Sequence, residues 1–295
     1  MKTTKLISTA VYLAIGFLLS GSAVQARDVQ SLNLAGEWRY ELDRQDEGIS
    51  DKWFDKTFSQ TLKLPGCLSE QGIGDEVGLS TKWMGQIVDK SFFTAPEYEK
   101  YRTPGNFKIP FWLQPERYFA GAVWYQRTIK IPESWMGKRV VLFLERPHWE
   151  TRVWIDGNAV GVQNGLSTPH EYDLGCSLQP GVHHLAIRVD NRMVVDVGIN
   201  SHSVSDHTQG NWNGIVGKIH LYTTDPVWLN DLQVYPQVQR RSAIIRGKIG
   251  NATGKAGELP VILSTMPADS RRPTKENRFM VKYDEKARNL SLNRL

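Results

Sequence analysis

The sequence predicts an all-β protein built as a sandwich of antiparallel strands, and three observations lead there. Segments in which apolar and polar residues alternate with period two recur along the chain, and Gly-, Asn- and Asp-containing turns separate them. Beyond the N-terminal apolar run, no long window carries apolar residues at the i, i+3, i+4, i+7 spacing of an amphipathic helix.

At the N-terminus, Lys2 and Lys5 form a positive segment, Leu6 to Leu19 an apolar one, and Val24-Gln25-Ala26 a small-residue cleavage site. Residues 1–26 therefore read as a secretory signal peptide and as the one credible helix of any length. The mature chain is expected to begin at Arg27 and to reach the periplasm or the medium. Ser8, Thr9 and Gly16 interrupt the apolar run, which is short against the roughly 20 residues of a bilayer span, so a membrane anchor is not expected. The first cysteine is Cys67, too far along for a lipid-modified N-terminus.

The clearest strand is Ala122 to Ile131, with Val123, Tyr125, Ile129 and Ile131 on one face and Trp124, Gln126, Thr128 and Lys130 on the other. Trp124 and Tyr125 thus point to opposite faces, one toward the core and one toward a loop-facing surface. Arg139 to Leu144 is a fuller apolar run that suits a central strand. Thr151 to Ile155 alternates again and meets Asp156-Gly157, a pair favoured in type I′ turns, so a hairpin is expected over 151–162. Leu185 to Val189 and Lys218 to Tyr222 supply later strands. Between them and the first strands, residues 66–121 form a long irregular excursion rich in Gly, Pro and aromatics. So many rings argue against disorder; most are expected to pin the excursion to the sandwich.

A second unit starts near Thr224-Asp225-Pro226, with strands over Val227 to Val238 and Ala243 to Ile249. After Thr265 the alternation fades into a polar, basic stretch, Pro267 to Leu295, expected to be loop or disorder. Three parts follow: 1–26, 27–224 and 225–295. The formal charge of +5 gathers in the C-terminal part, at Arg240, Arg241, Arg271, Arg272, Lys282, Lys286 and Arg288. A nucleic-acid binder would carry its basic face on the folded core, so nucleic acid is not expected as a partner. The histidines show no metal-site spacing, since His183 and His184 are neighbours on a strand and face opposite ways. No cofactor and no metal are expected. Cys67 and Cys176 are the only cysteines; they could pair in an oxidising compartment or remain two isolated thiols.

Several segments in order resemble the sugar-binding domain of glycoside hydrolase family 2, the family of β-galactosidases, β-glucuronidases and β-mannosidases. They are Leu34 to Trp38, Leu64-Pro65-Gly66, Trp124 to Arg127, Val153 to Gly157 with Val160-Gly161, Val189-Asp190-Asn191, and Asp206 to Gly217. The resemblance covers roughly residues 32–224 and continues more faintly. It implies a galactose-binding-like jelly-roll sandwich followed by an incomplete immunoglobulin-like β-sandwich. It also implies carbohydrate, specifically a β-glycoside, as the ligand.

Most of these motifs have mechanical readings. Leu34 to Trp38, Trp154 and Asp190-Asn191 suit packing, with Asn191 bonding backbone at a strand end. The run from His202 to Asn213 is different, because it gathers Asp206, Gln209, Asn211, Trp212 and Asn213 in one Gly-containing loop. A pyranose offers hydroxyls to Asp, Asn and Gln, and a C–H face to an indole. The alternative is a polar loop that satisfies its own backbone. The resemblance tips the balance toward sugar contact, since in the family a loop here reaches the catalytic pocket.

Family 2 enzymes hydrolyse with retention, using two glutamates about 5 Å apart. Both lie in a barrel that needs about 250 residues and follows the two β domains. Only residues 225–295 follow the first domain here, and no Asn is followed by Glu, the dipeptide that marks the family's acid/base. No catalytic residue is carried over. The chain is expected to be inert alone, as a truncated enzyme, as the partner of a separately encoded barrel, or as a free-standing secreted carbohydrate-binding module.

Overall fold

Residues whose side chains alternate in polarity form pleated strands because each face then meets its own medium. In the computed structural model of the chain, which describes residues 9–15, 29–85, 87, 89–198, 201–202, 204–206, 210–267, 275–285 and 288–293, Ala122–Ile131 is such a strand. It lies inside a six-stranded antiparallel sheet of order Asn158–Gln163, Glu150–Ile155, Gly181–Asp190, Ala122–Ile131, Gly36–Asp43, Gln60–Leu64. A second sheet runs His170–Gly175, Arg139–His148, Gly214–Thr224, Ser31–Asn33, with Gly66–Cys67 pairing to the start of Gly214–Thr224. As its apolar run required, Arg139–His148 is flanked on both sides, and Val140, Leu142 and Leu144 are fully buried.

The core lies between these sheets. Trp38, Tyr125, Leu185 and Ile187 from the first meet Leu142, Leu144, Ile219 and Leu221 from the second. Trp124 lies on the other face of its strand yet is equally sealed, because the chain between Gly48 and Phe58 folds over it. There Phe54 stacks on Trp154 at 5.3 Å, and the Trp124 indole donates to Asp43 Oδ2 at 3.0 Å. Gly48 permits this cover, since a methyl group at that position would sit 2.2 Å from the Trp124 nitrogen. The hairpin pairs Ile155 with Asn158, and its two turn residues have positive φ, 49° at Asp156 and 75° at Gly157, as a type I′ turn demands.

Within the excursion of 66–121, Phe92, Ile109 and Phe111 form a small core of their own, with Trp83, Tyr98, Tyr101 and Phe107 packed against it. Trp83 meets Phe111 edge-on at 5.1 Å and leans on Tyr118 at 4.6 Å. Phe93 is partly exposed at the edge of this core, and Trp112 departs from the pattern altogether at 88% exposure. At the strand end beyond, Asn191 accepts from the Gly121 amide and donates to the Phe119 carbonyl, both at 2.8 Å, which is the backbone role its position suggested. Cys67 and Cys176 form no disulfide with each other.

The chain divides into two units. One comprises Ser31–Met136 and Val140–Thr223; the other comprises Thr224–Leu295 together with Gly137–Arg139 and Met1–Gln30. The second unit corrects two expectations. Pro267 to Leu295 is not all loop: Lys275–Tyr283 pairs with Gly257–Pro267, and Arg288–Asn293 pairs with Ser242–Asn251. The basic composition hid a short alternation in which Phe279, Val281 and Tyr283 pack on Leu259, Val261 and Leu263 while Arg278 and Lys282 face away. Likewise the N-terminal apolar run is not a helix where it is described. Thr9–Ile15 is a strand antiparallel to Gly257–Pro267.

Candidate functional site

The loop that precedes Gly214–Thr224 is anchored at both ends by buried polar side chains. Asn213, 2% exposed, donates to the carbonyls of Gly121 and Val189 at 3.0 Å each and accepts from the Tyr125 hydroxyl at 2.8 Å. Gly214 follows with φ 151°, and a methyl group there would lie 2.3 Å from the Gly66 carbonyl oxygen. Only glycine allows this strand to start so close to Gly66–Cys67.

At the other end Asp206, also 2% exposed, accepts from the amides of Met84 at 2.6 Å and Gly85 at 3.0 Å and from the Tyr118 hydroxyl at 3.0 Å. Its second oxygen accepts from the Asn211 amide at 2.9 Å. Burial, and then the Asp206 charge, push the Tyr118 phenol well above its ordinary pKa, so it stays protonated and donating. Asp206 therefore ties three segments together. A carboxylate filled by four donors from its own chain is an anchor, not an acid or a nucleophile.

Between the anchors lies the part that faces outward. His148 Nε2–H donates to Asn211 Oδ1 at 2.9 Å, and the imidazole stacks on the half-buried Trp212 indole at 4.9 Å and 26°. Burial lowers the His148 pKa against the opposing hydrogen bond to Asn211, so the ring is neutral at pH 7 and carries its proton on the nitrogen facing Asn211. Asn211 is 8% exposed, and its Nδ2 finds no partner of hydrogen-bonding geometry, although the amide lies near enough to the Tyr118 hydroxyl to temper that phenol's rise. A half-exposed aromatic face held by stacking suits a ligand that brings a C–H surface to it.

Of the five residues picked from the sequence, Asp206, Asn211, Trp212 and Asn213 come together here, and Gln209 lies outside the described residues. Asp206 and Asn213 spend their polar groups on the chain itself. His148 and Tyr118 were missed, for neither sits in the loop and only the fold brings them to it. A cleft of about 520 Å³ runs along Tyr118 on its other side, lined by Asp43, Arg44, Asp46, Asp75 and Arg192. Its charges are matched, Arg44 to Asp75 at 2.8 Å and Arg192 to Asp46 at 2.7 Å. Among the described residues no three side chains gather as metal ligands would.

Residues 30–225 match the family description "Glycosyl hydrolases family 2, sugar binding domain". Over 229 residues the chain is 22% identical to a β-glucuronidase of Paenibacillus borealis, covering 72% of this chain and 32% of that protein. It is 24% identical to the β-galactosidase large subunit of Leuconostoc lactis, covering 80% of this chain and 34% of that protein. The chain thus spans about a third of the length of these curated relatives. Among solved structures, β-glucuronidase 2 of Bacteroides uniformis aligns with a TM-score of 0.60 at 16% identity, covering 91% of this chain and 28% of that one. A β-glucuronidase of an uncultured Clostridium aligns at 0.54 and 17%, covering 93% and 46%. These two show a shared fold. With two thirds of its length inside the family's own sugar-binding domain, the chain belongs to glycosyl hydrolase family 2.

Proposed function

We propose that the chain is the sugar-recognising front part of a β-glycosidase, and that His148, Asn211 and Trp212 form one wall of the pocket for the glycoside. The observation that carries this is a half-exposed indole held by stacking on His148, beside Asn211, with the Asp206 and Asn213 side chains already spent on the chain itself. Asp206 and Asn213 serve by holding that wall in place. The activities of the named relatives supply the substrate class, β-glucuronides or β-galactosides. Hydrolysis itself belongs to a catalytic barrel, so this chain alone turns over neither. A single wall binds weakly: one aromatic stack contributes about 1 kcal/mol beyond area burial, while a millimolar constant already requires about 4 kcal/mol.

The experiment joins the chain to a family 2 catalytic barrel and compares Trp212→Ala with the parent. A fall in kcat/KM with little change in folding stability supports the reading. Unchanged kcat/KM rejects it. We propose also that the chain is exported, on the Lys2–Ala26 signal pattern; N-terminal sequencing of periplasmic or secreted protein should begin at Arg27, and a chain retaining Met1 rejects export.

A further inference from the structure

The segment Ile109-Pro110-Phe111-Trp112-Leu113-Gln114-Pro115 presents the most exposed large apolar side chain among the described residues, Trp112, at 88%. That exposure is imposed by the scaffold. Gln114 clamps the turn from within: its Nε2 donates to the carbonyls of Ile109 at 2.7 Å and Phe111 at 2.8 Å, and its Oε1 accepts from the Ile109 amide at 3.1 Å. Ile109 and Phe111 are buried on either side, and two prolines fix φ at both ends. The clamp holds the backbone that carries the indole. Its neighbour Leu113 lies beside the candidate loop, since a methyl group at Gly210 would be 3.8 Å from the Leu113 side chain. Gly210 immediately precedes Asn211 and Trp212.

We infer that Trp112 is a second carbohydrate platform, stacking on a neutral hexopyranose unit next to the sugar held at Trp212. The inference rests on the reading of the Trp212 wall and extends it from one sugar to an oligosaccharide. The whole 109–115 segment carries no charged side chain, so recognition there is by the C–H face of a neutral ring and not by an anionic group. A ring carried on a backbone that is already held requires no ordering of the chain when a sugar settles on it.

The test uses the full chain and two probe pairs: methyl β-galactoside against β-1,4-galactotetraose, and methyl β-glucuronide against a hyaluronan tetrasaccharide. Binding is read from the indole N–H signals of Trp112 and Trp212 by NMR. The tetrasaccharide of at least one pair should bind about five- to tenfold tighter than its monosaccharide and move both indole signals. Trp112→Ala should erase that advantage and leave the monosaccharide constant unchanged. Equal affinities within both pairs, with Trp212 still responding, overturn the platform and leave the wall standing. No response of Trp212 to any probe overturns the wall and, with it, the extension to a second sugar. A parent chain that self-associates through Trp112, shown by a sedimentation coefficient that falls in Trp112→Ala, overturns the platform in favour of a protein contact.

Discussion

Single side chains in and around the loop divide into those that hold it and those that face outward, and substitution should separate the two groups. Asn213→Ala removes the partner of the Tyr125 hydroxyl and one donor from each of two buried carbonyls, and should cost about 2 to 3 kcal/mol in urea denaturation. Trp212→Ala removes a half-buried ring stacked on one neighbour and should cost nearer 1 kcal/mol, well short of the roughly 3 to 5 kcal/mol of a core tryptophan. His148 adds a pH signature. Because burial lowers its folded pKa, the unfolded chain takes up a proton near pH 6.5 that the folded chain refuses, and stability falls as pH drops below about 6.5. His170 and His220 are lowered in the same way, while His183, whose pKa Asp156 and Gln179 raise against burial, contributes stability that is lost as pH rises through its folded value. His148→Gln should flatten part of the acid-side loss in melting temperature between pH 7 and 5, and an unchanged slope would show that the ring is not held neutral.

At the scale of elements, the strands that alternate strictly were readable, and those that depend on partners were not. Val123 to Ile131 and the Asp156-Gly157 hairpin followed from period and turn chemistry alone. Lys275–Tyr283 did not, because Phe279, Val281 and Tyr283 are diluted by charge and become a face only when Leu259, Val261 and Leu263 lie opposite. The candidate loop was legible as a cluster of sugar-compatible residues. The division of labour within it was not, since Met84, Gly85, Tyr118 and His148 come from distant segments and decide which side chains are spent. The cover over Trp124 was hidden too, for it hangs on the absence of a side chain at Gly48. Gly48→Ala should lift that cover, destabilise the chain by about 1 to 3 kcal/mol and shift tryptophan emission to the red; emission and stability like the parent's would contradict the packing.

At the scale of the whole molecule, each of the two units has a main hydrophobic core among the described residues, one between the large sheets and a smaller one built on Val227, Ile245, Ile249, Leu259, Val261 and Leu263. Two cores of such different size should not melt together. Calorimetry should resolve two transitions, with the smaller unit's first, and a single transition whose calorimetric and van't Hoff enthalpies agree would contradict this. What joins structure to function is the loop carried by the larger unit, held from beneath by Asp206 and Asn213 and presenting Asn211 and Trp212 beside His148. Its most direct test is an NMR titration of the full chain with methyl β-glucuronide and methyl β-galactoside, following every backbone amide and indole signal. Shifts should concentrate at Trp212, Asn211 and His148 for at least one of the two sugars; shifts confined to other parts of the chain, with the Trp212 indole unmoved at saturating sugar, would contradict the assignment.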